Sequence, residues 1–579
     1  MYKRRIADAL ILVLLAVALA PAGARTAGRA ARAHAVAAID THQFLANVEK
    51  LASDDFEGRS PGTPGEQRTV AWLQQQYRAL GLKPAGGAGS YLQRVPMTAF
   101  QAQPRASFEA GGQQIALRFP DDFVAFAPVR QAHLSLRDSP LVFVGYGVQA
   151  PEYGWDDYKG VDVRGKTIVM LINDPPVPDA AHPGELDPKV FGGKRMTYYG
   201  RWTYKFEVAR RLGAAAAIII HEAAPAAYPY SVVISSWKGE NFVIDDGGPV
   251  REYPDIASWI SLESARALLA ACGQDYERLK QAALSRDFHP VELGARVSYE
   301  IDNSWHDARS HNVVGVLPGS DPKLRNEYVV YSAHWDHFGW DPRLPGTKHE
   351  QVYHGAYDNG TGTAALLELA RAFRALPRAP ARTILFVATT AEERGLLGAR
   401  YYARHPLRPI DRTVVDINMD GISAYGATRD MQLISSGKST VDDIVRRQAT
   451  GMGITVVDDV HPERGSVFRA DQHEFARVGV PVAYLGEGLD VVGQPAGYGE
   501  MRRNEFISHD YHQVTDVVKP HWALGGFTQE IELLLRVGND IAGGAQWPQW
   551  LPDSEFQRPA AGPSVAPAAP APSPASGGR

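Results

Sequence analysis

Residues of the types that bind divalent cations stand at the ends of successive apolar runs. The run ending AHWDHFGW carries His334, with Asp336 and His337 just beyond it, and HGAYDNGTG carries Asp358 ahead of a glycine-rich turn. TTAEERGLLGA closes a third run with the adjacent acids Glu392 and Glu393, INMDG closes a fourth with Asp420, and SHDYHQVTD later brings Tyr511 and His512. Singly, each has an ordinary explanation: a hydrogen-bonded histidine, an aspartate in a turn, a glutamate pair at a solvated helix start. Together, His334, Asp358, Glu393, Asp420 and His512 supply two imidazoles and three carboxylates. That set suits two zinc ions about 3.5–4 Å apart, which need a bridging carboxylate and further His or carboxylate ligands. Glu392 adjoins a ligand without having to be one, so it suits a general base that takes a proton from a shared water and passes it to a leaving amine. The Tyr511 hydroxyl suits donation to the oxyanion of a tetrahedral intermediate. His337 is an alternative to His334, which is preferred for its strand-end place and because Asp336, two residues on, suits an orienting partner.

The surrounding pattern indicates how such residues are held. NEYVVYSAH, RTILFVATTAEE, RTVVDINMDG and VPVAYLGEG are β-rich apolar runs separated by helical stretches such as TAALLELARAFRALP. This alternation predicts an α/β fold, a three-layer αβα sandwich on a mixed, mostly parallel sheet. Sites in such sheets lie outside the carboxyl ends of the strands. Residues 38–109, with a helical face at Val70, Leu73, Tyr77 and Leu80, are expected to join 293–548 in this unit. Residues 110–292, with runs such as LVFVGYGV and KTIVMLIN broken by Gly, Pro and Asp, are expected to form an inserted β-rich domain. Residues 1–24 read as a secretory signal peptide: basic start, apolar stretch, Ala22-Gly23-Ala24 cleavage site. Residues 549–579 read as a disordered Pro/Ala-rich tail. The mature protein is therefore expected to be exported, to the periplasm or the medium, without stable membrane insertion.

Composition narrows the function. The chain has 579 residues with a formal net charge of −5, and no long basic run, which argues against nucleic-acid binding. A single cysteine, Cys272, excludes disulfide frameworks and Cys-rich metal sites, so any metal is held by His, Asp and Glu. No Gly-x-Ser-x-Gly elbow is present, and GKST at 437–440 is not a phosphate loop because Gln432 stands where glycine is required. His221, His461 and Glu463 read as structural or surface residues, and Cys272 as an inert hydrophobe.

The set AHWDH, DNGTG, AEE, NMD and YHQVTD resembles the binuclear zinc aminopeptidase family, which also contains glutamate carboxypeptidase, glutaminyl cyclase and transferrin-receptor ectodomains. The resemblance implies that His334 and Asp420 bind one zinc, Glu393 and His512 the other, with Asp358 bridging. It implies Glu392 as catalytic base, Tyr511 as transition-state donor and Asp336 as orienter of His334. SDDFEGRSPGTPGE resembles the family's entry segment, and FVGYGVQAPEYGWDDYKGVDVRGKTIVML resembles a protease-associated domain inserted in exported members. One departure is ADQHEF, with Asp471 and His473, where many members carry Ser-Asp-His; it bears on specificity. The implied function is an exported metallopeptidase acting on peptides, an aminopeptidase with two zinc ions. The alternatives are a carboxypeptidase or dipeptidase, for which Arg469, Arg477, Arg502 and Arg503 are candidate carboxylate partners, and a non-catalytic receptor-like binding protein. Oligomeric state is left open by the sequence.

Overall fold

The structure is a computed structural model that describes residues 33–245, 252–552 and 554–558. The expected signal peptide and residues 559–579 of the expected tail lie outside the described residues. The sheet that carries the site runs in the order Thr455–Asp458, Asp430–Leu433, Val482–Gly486, Thr413–Asn418, Tyr328–His334, Thr383–Thr389 and Val291–Leu317. Tyr328–His334 is parallel to both of its neighbours, Thr383–Thr389 and Thr413–Asn418, whereas Val291–Leu317 joins antiparallel. Both faces are covered. Val329, Tyr331 and Ala333 pack with the helices Thr41–Leu51, Gly362–Ala375 and Leu524–Gly543, while Tyr328 and Val330 face the layer of Tyr402 and Phe475. The two-residue pleat thus sends alternate apolar side chains into two cores, which is why the strand reads as a continuous apolar run. This is the expected α/β sandwich with a mixed, mostly parallel sheet.

A second core fills the middle of the chain, around the strands Thr167–Leu171, Ala216–Ile220 and Ile256–Ile260. Two long strands, Leu92–Ala110 and Val291–Leu317, pair antiparallel from Leu92↔Val313 to Glu109↔Arg296 and tie the two units into one sheet. Phe100, Phe108, Val297 and Ile301 already belong to the second core, so the expected divisions at 110 and 292 fall within strands that serve both units. The expected start of the tail at 549 is corrected. Trp550 and Phe556 are buried, Trp550 donates to the Gly479 carbonyl at 2.9 Å, and Lys438 pairs with Glu555 at 2.6 Å. Two aromatic rings supply apolar area that the Pro/Ala-rich residues beyond them lack. No helix among the described residues is long and apolar enough to cross a membrane.

Candidate metal centre

Three neighbouring parallel strands deliver His334, the Glu392–Glu393 pair and Asp420 at or just beyond their carboxyl ends. Asp358 comes from the turn Ala356–Thr361 that opens the helix Gly362–Ala375, and His512 follows the helix Tyr498–His509. The side chains converge. His334 Nε2 lies 3.3 Å from Asp358 Oδ1 and 3.1 Å from Asp420 Oδ1, and Glu392 Oε2 stands farther off at 3.9 Å. His512 Nε2 lies 3.3 Å from Asp358 Oδ2 and 3.1 Å from Glu393 Oε2. Asp358 therefore turns one carboxylate oxygen to each imidazole, and each imidazole has a second carboxylate of its own.

Burial and mutual charge set the ionisation of the cluster. Burial opposes the charge on His512, but the Glu393 and Asp358 carboxylates outweigh it and raise the imidazole to about 9. Burial and the Asp358 charge oppose ionisation of Glu393, yet His512 and His337 hold it down at about 2. Burial drives Glu392 well above the ordinary carboxylate range, against the pull of His334. The buried acids are compensated by the two imidazoles whose protons they hold, since an isolated buried carboxylate is costly. His334, Asp358 and Glu393, and likewise His334, Glu392 and Asp420, each bring donor atoms within 4.8 Å of one another, a donor set that fits a divalent cation such as zinc once the imidazoles give up their protons.

Residues 312–531 match the model of peptidase family M28. This segment resembles an M28 peptidase domain. Aminopeptidase NAALADL1 of Mus musculus is 33% identical over 176 residues, covering 28% of this chain and 22% of that one. Aminopeptidase YwaD of Bacillus subtilis is 34% identical over 114 residues, covering 19% and 21%. The chain thus spans about a fifth of the length of these curated relatives. An aminopeptidase from Aneurinibacillus sp. strain AM-1 superposes with a TM-score of 0.50 at 17% identity, covering 92% of this chain and 98% of that one, and shares the fold.

Within the segment that matches M28, Asp336 does more for Glu392 than for His334. Its carboxylate accepts the Glu392 backbone N–H at 3.1 Å, while His334 Nδ1 is 3.2 Å from the Asp336 carbonyl and 3.8 Å from the carboxylate. His337 sits behind Glu393, with Nδ1 2.5 Å from Oε1, and does not join Asp358 and Asp420. The Tyr511 ring lies tilted against His512 with centroids 3.8 Å apart. Tyr511, His512 and Glu392 line both clefts beside the cluster. Asp471 is buried against Thr389, and His473 lines the cleft walled by Trp202 and Trp237, stacked on Tyr198 at 5.1 Å.

Several contributors carry no local sequence signal. Asp516 accepts the backbone N–H groups of Tyr357 and Asp358 at 2.9 and 3.0 Å. Buried Arg59 donates to the carbonyls of Trp335, Leu51, His354 and Gly355 at 2.6–2.8 Å. Ser236, from the second unit, places its hydroxyl 3.3 Å from His512 Nδ1. YHQVTD contains Asp516 and the entry segment contains Arg59, but nothing in those stretches assigns a contact. Among the four arginines flagged from sequence, Arg477, Arg502 and Arg503 have Glu474, Glu505 and Glu487 beside them. Arg469 instead donates to the Ala226 carbonyl at 2.6 Å and lies over Tyr228, lining the same cleft as His473 and buried Arg201. Burial, then the charge of Arg469, lowers Arg201 to about 10.

Proposed function

We propose that the chain is an exported, zinc-dependent exopeptidase, an aminopeptidase that releases residues from the N-termini of peptides. The observation that carries this is Asp358 with one oxygen toward His334 and the other toward His512, a bridge between two donor sets. In this reading His334 and Asp420 hold one zinc, Glu393 and His512 the other. Bound there, the ions supply Lewis-acid charge and bring the pKa of water down to about 7. Glu392 takes the proton of the attacking water and returns it to the leaving amine; burial keeps its carboxyl basic enough for both halves of that task. Burial and the neighbouring Asp358 and Glu393 charges hold the Tyr511 hydroxyl well above its ordinary range, so it stays protonated and donates to the developing oxyanion. Asp336 fixes the backbone of Glu392, and Asp516 that of Asp358. The second core is the inserted protease-associated domain of this reading, and its helix Tyr230–Trp237 brings Ser236 to His512. The aminopeptidase preference is supported by relatives that bear that name.

The test is metal content and turnover together. Wild-type protein should hold two zinc ions at the cluster and lose peptidase activity to a chelator, and Asp358→Asn should lose both metal and rate. Full zinc occupancy in Asp358→Asn would contradict the bridge. A second reading, a carboxypeptidase or dipeptidase, is favoured by Arg201 and Arg469, two cleft arginines without a carboxylate partner among the described residues. It predicts that Arg469→Met lowers kcat/KM for free-acid peptides by roughly 10- to 100-fold while sparing their amides, the range of a charged hydrogen bond.

A further inference from the structure

Away from the M28 cluster, a second group of metal-binding side chains meets at the outer end of the segment that leads into Asp358. Asp54 opens the short helical segment Asp54–Arg59, and His349 and His354 flank the strand Val352–Tyr353. His349 Nδ1 lies 2.8 Å from Asp54 Oδ1, and His354 Nε2 lies 3.8 Å from the same oxygen. Donor atoms of all three fall within 4.8 Å of one another. Two zinc bonds of 2.0–2.1 Å at a tetrahedral angle set their donors roughly 3.3 Å apart. The two distances to Asp54 Oδ1 bracket that spacing, one shorter and one longer. Asp54 and His349 are 47% and 62% exposed, whereas His354 is 1% exposed.

His354 is the informative member. Its Nδ1 lies 2.7 Å from the Ala52 carbonyl and its Nε2 lies 3.0 Å from the His349 carbonyl. Carbonyl oxygens only accept, and a neutral imidazole has one N–H to give. With that proton on Nδ1, the shorter contact is the donated one. Nε2 then turns its lone pair toward the lone pairs of the His349 carbonyl at hydrogen-bond distance, a repulsive contact unless positive charge lies against both. Histidines that ligate metals through one nitrogen characteristically donate the other N–H to a backbone carbonyl, which fixes the tautomer. Ala52 occupies that position.

We propose that Asp54, His349 and His354 form a separate divalent-cation site. Two imidazoles and one carboxylate select zinc or a similar borderline ion over calcium or magnesium, which prefer oxygen donors. The ion joins the 54–59 segment to residues 349–354. Arg59, at the end of that same segment, holds the His354 and Gly355 carbonyls at 2.7 and 2.8 Å, so cation and guanidinium grip one stretch of backbone from two sides. The role is structural: it fixes the chain that delivers Asp358.

The experiment uses the full chain carrying His334→Ala and His512→Ala, which disables the M28 cluster without touching this one. Chelator-stripped protein is titrated with zinc alone against a chromogenic competitor while its thermal midpoint is followed. One equivalent should still bind and raise the midpoint, and adding His349→Ala should abolish both effects. Zinc binding that is the same with and without His349, or absent from the double variant, overturns the site in favour of a His354 protonated on both nitrogens. Should the double variant not fold, wild type and His349→Ala are compared directly. The single variant must then hold one zinc fewer, and equal zinc contents overturn the proposal.

Discussion

Glu392→Gln separates proton transfer from metal binding. Glutamine keeps the length and shape of the side chain and removes its charge. Glu392 Oε2 is 3.9 Å from His334 Nε2, whereas Asp420 and Asp358 reach that nitrogen at 3.1 and 3.3 Å, so the ligand set survives the change. What is lost is the proton acceptor. A positioned general base contributes about 10²–10⁴-fold, or roughly 2.7–5.4 kcal/mol of barrier. The assay is kcat/KM on a chromogenic aminoacyl substrate, with zinc counted in the same preparation. Turnover should fall by about 10²–10⁴-fold at unchanged zinc. The pH profile gives a second sign. Burial raises the Glu392 carboxyl well above its ordinary value, and the base works only when ionised. Wild-type activity should therefore be present above that raised pKa and lost as pH falls through it, a limb the glutamine variant lacks. Turnover within threefold of wild type refutes the role. Zinc lost in parallel with rate would make Glu392 a ligand, a place its proximity to His334 and Asp420 also permits.

Three further outcomes follow from the supporting contacts. Asp516→Asn replaces one of two acceptors beneath Tyr357 and Asp358 and should weaken zinc binding by about 10- to 100-fold, read by competition with a chelator; unchanged affinity would remove Asp516 from the site's support. Ser236→Ala deletes the hydroxyl beside His512 Nδ1 and should lower zinc affinity by about 10-fold, and no change would mean that the second unit does not orient this histidine. Arg59→Met leaves four backbone carbonyls without their donor and should cost about 4 kcal/mol or more in denaturant unfolding; a loss under about 1 kcal/mol would contradict the clamp.

The strand ends were legible because each strand is apolar on both faces and then turns abruptly polar. His334, Glu393 and Asp420 appear where burial alone predicts another Val or Ile, and such a break in pattern is a chemical signal. Asp358 and His512 lie off the strands and were legible only through motif. The contacts that hold the site were not. Ser236 and His512 are 276 residues apart, and one serine in a helix of the second unit has no pattern that points to a distant imidazole. Arg59 reads as one charged residue in a polar loop; its burial depends on four carbonyls from three other segments. Asp336 shows how spacing misleads: two residues past a histidine suggests a carboxylate–imidazole pair, but the side chain turns to the Glu392 amide. The division between the units was blurred because the paired strands Leu92–Ala110 and Val291–Leu317 pack their residues into both cores with no change of composition at the crossing.

Product analysis by mass spectrometry tests the proposed activity. Mature protein is given peptides with free amino termini and the same peptides acetylated, each with and without a chelator. Stepwise loss from free amino termini only, abolished by the chelator, is the predicted result. Loss from the carboxyl end of both sets would contradict the aminopeptidase assignment and move the site to a carboxypeptidase that uses Arg201 and Arg469. No cleavage by zinc-loaded protein in any lane would contradict catalysis itself.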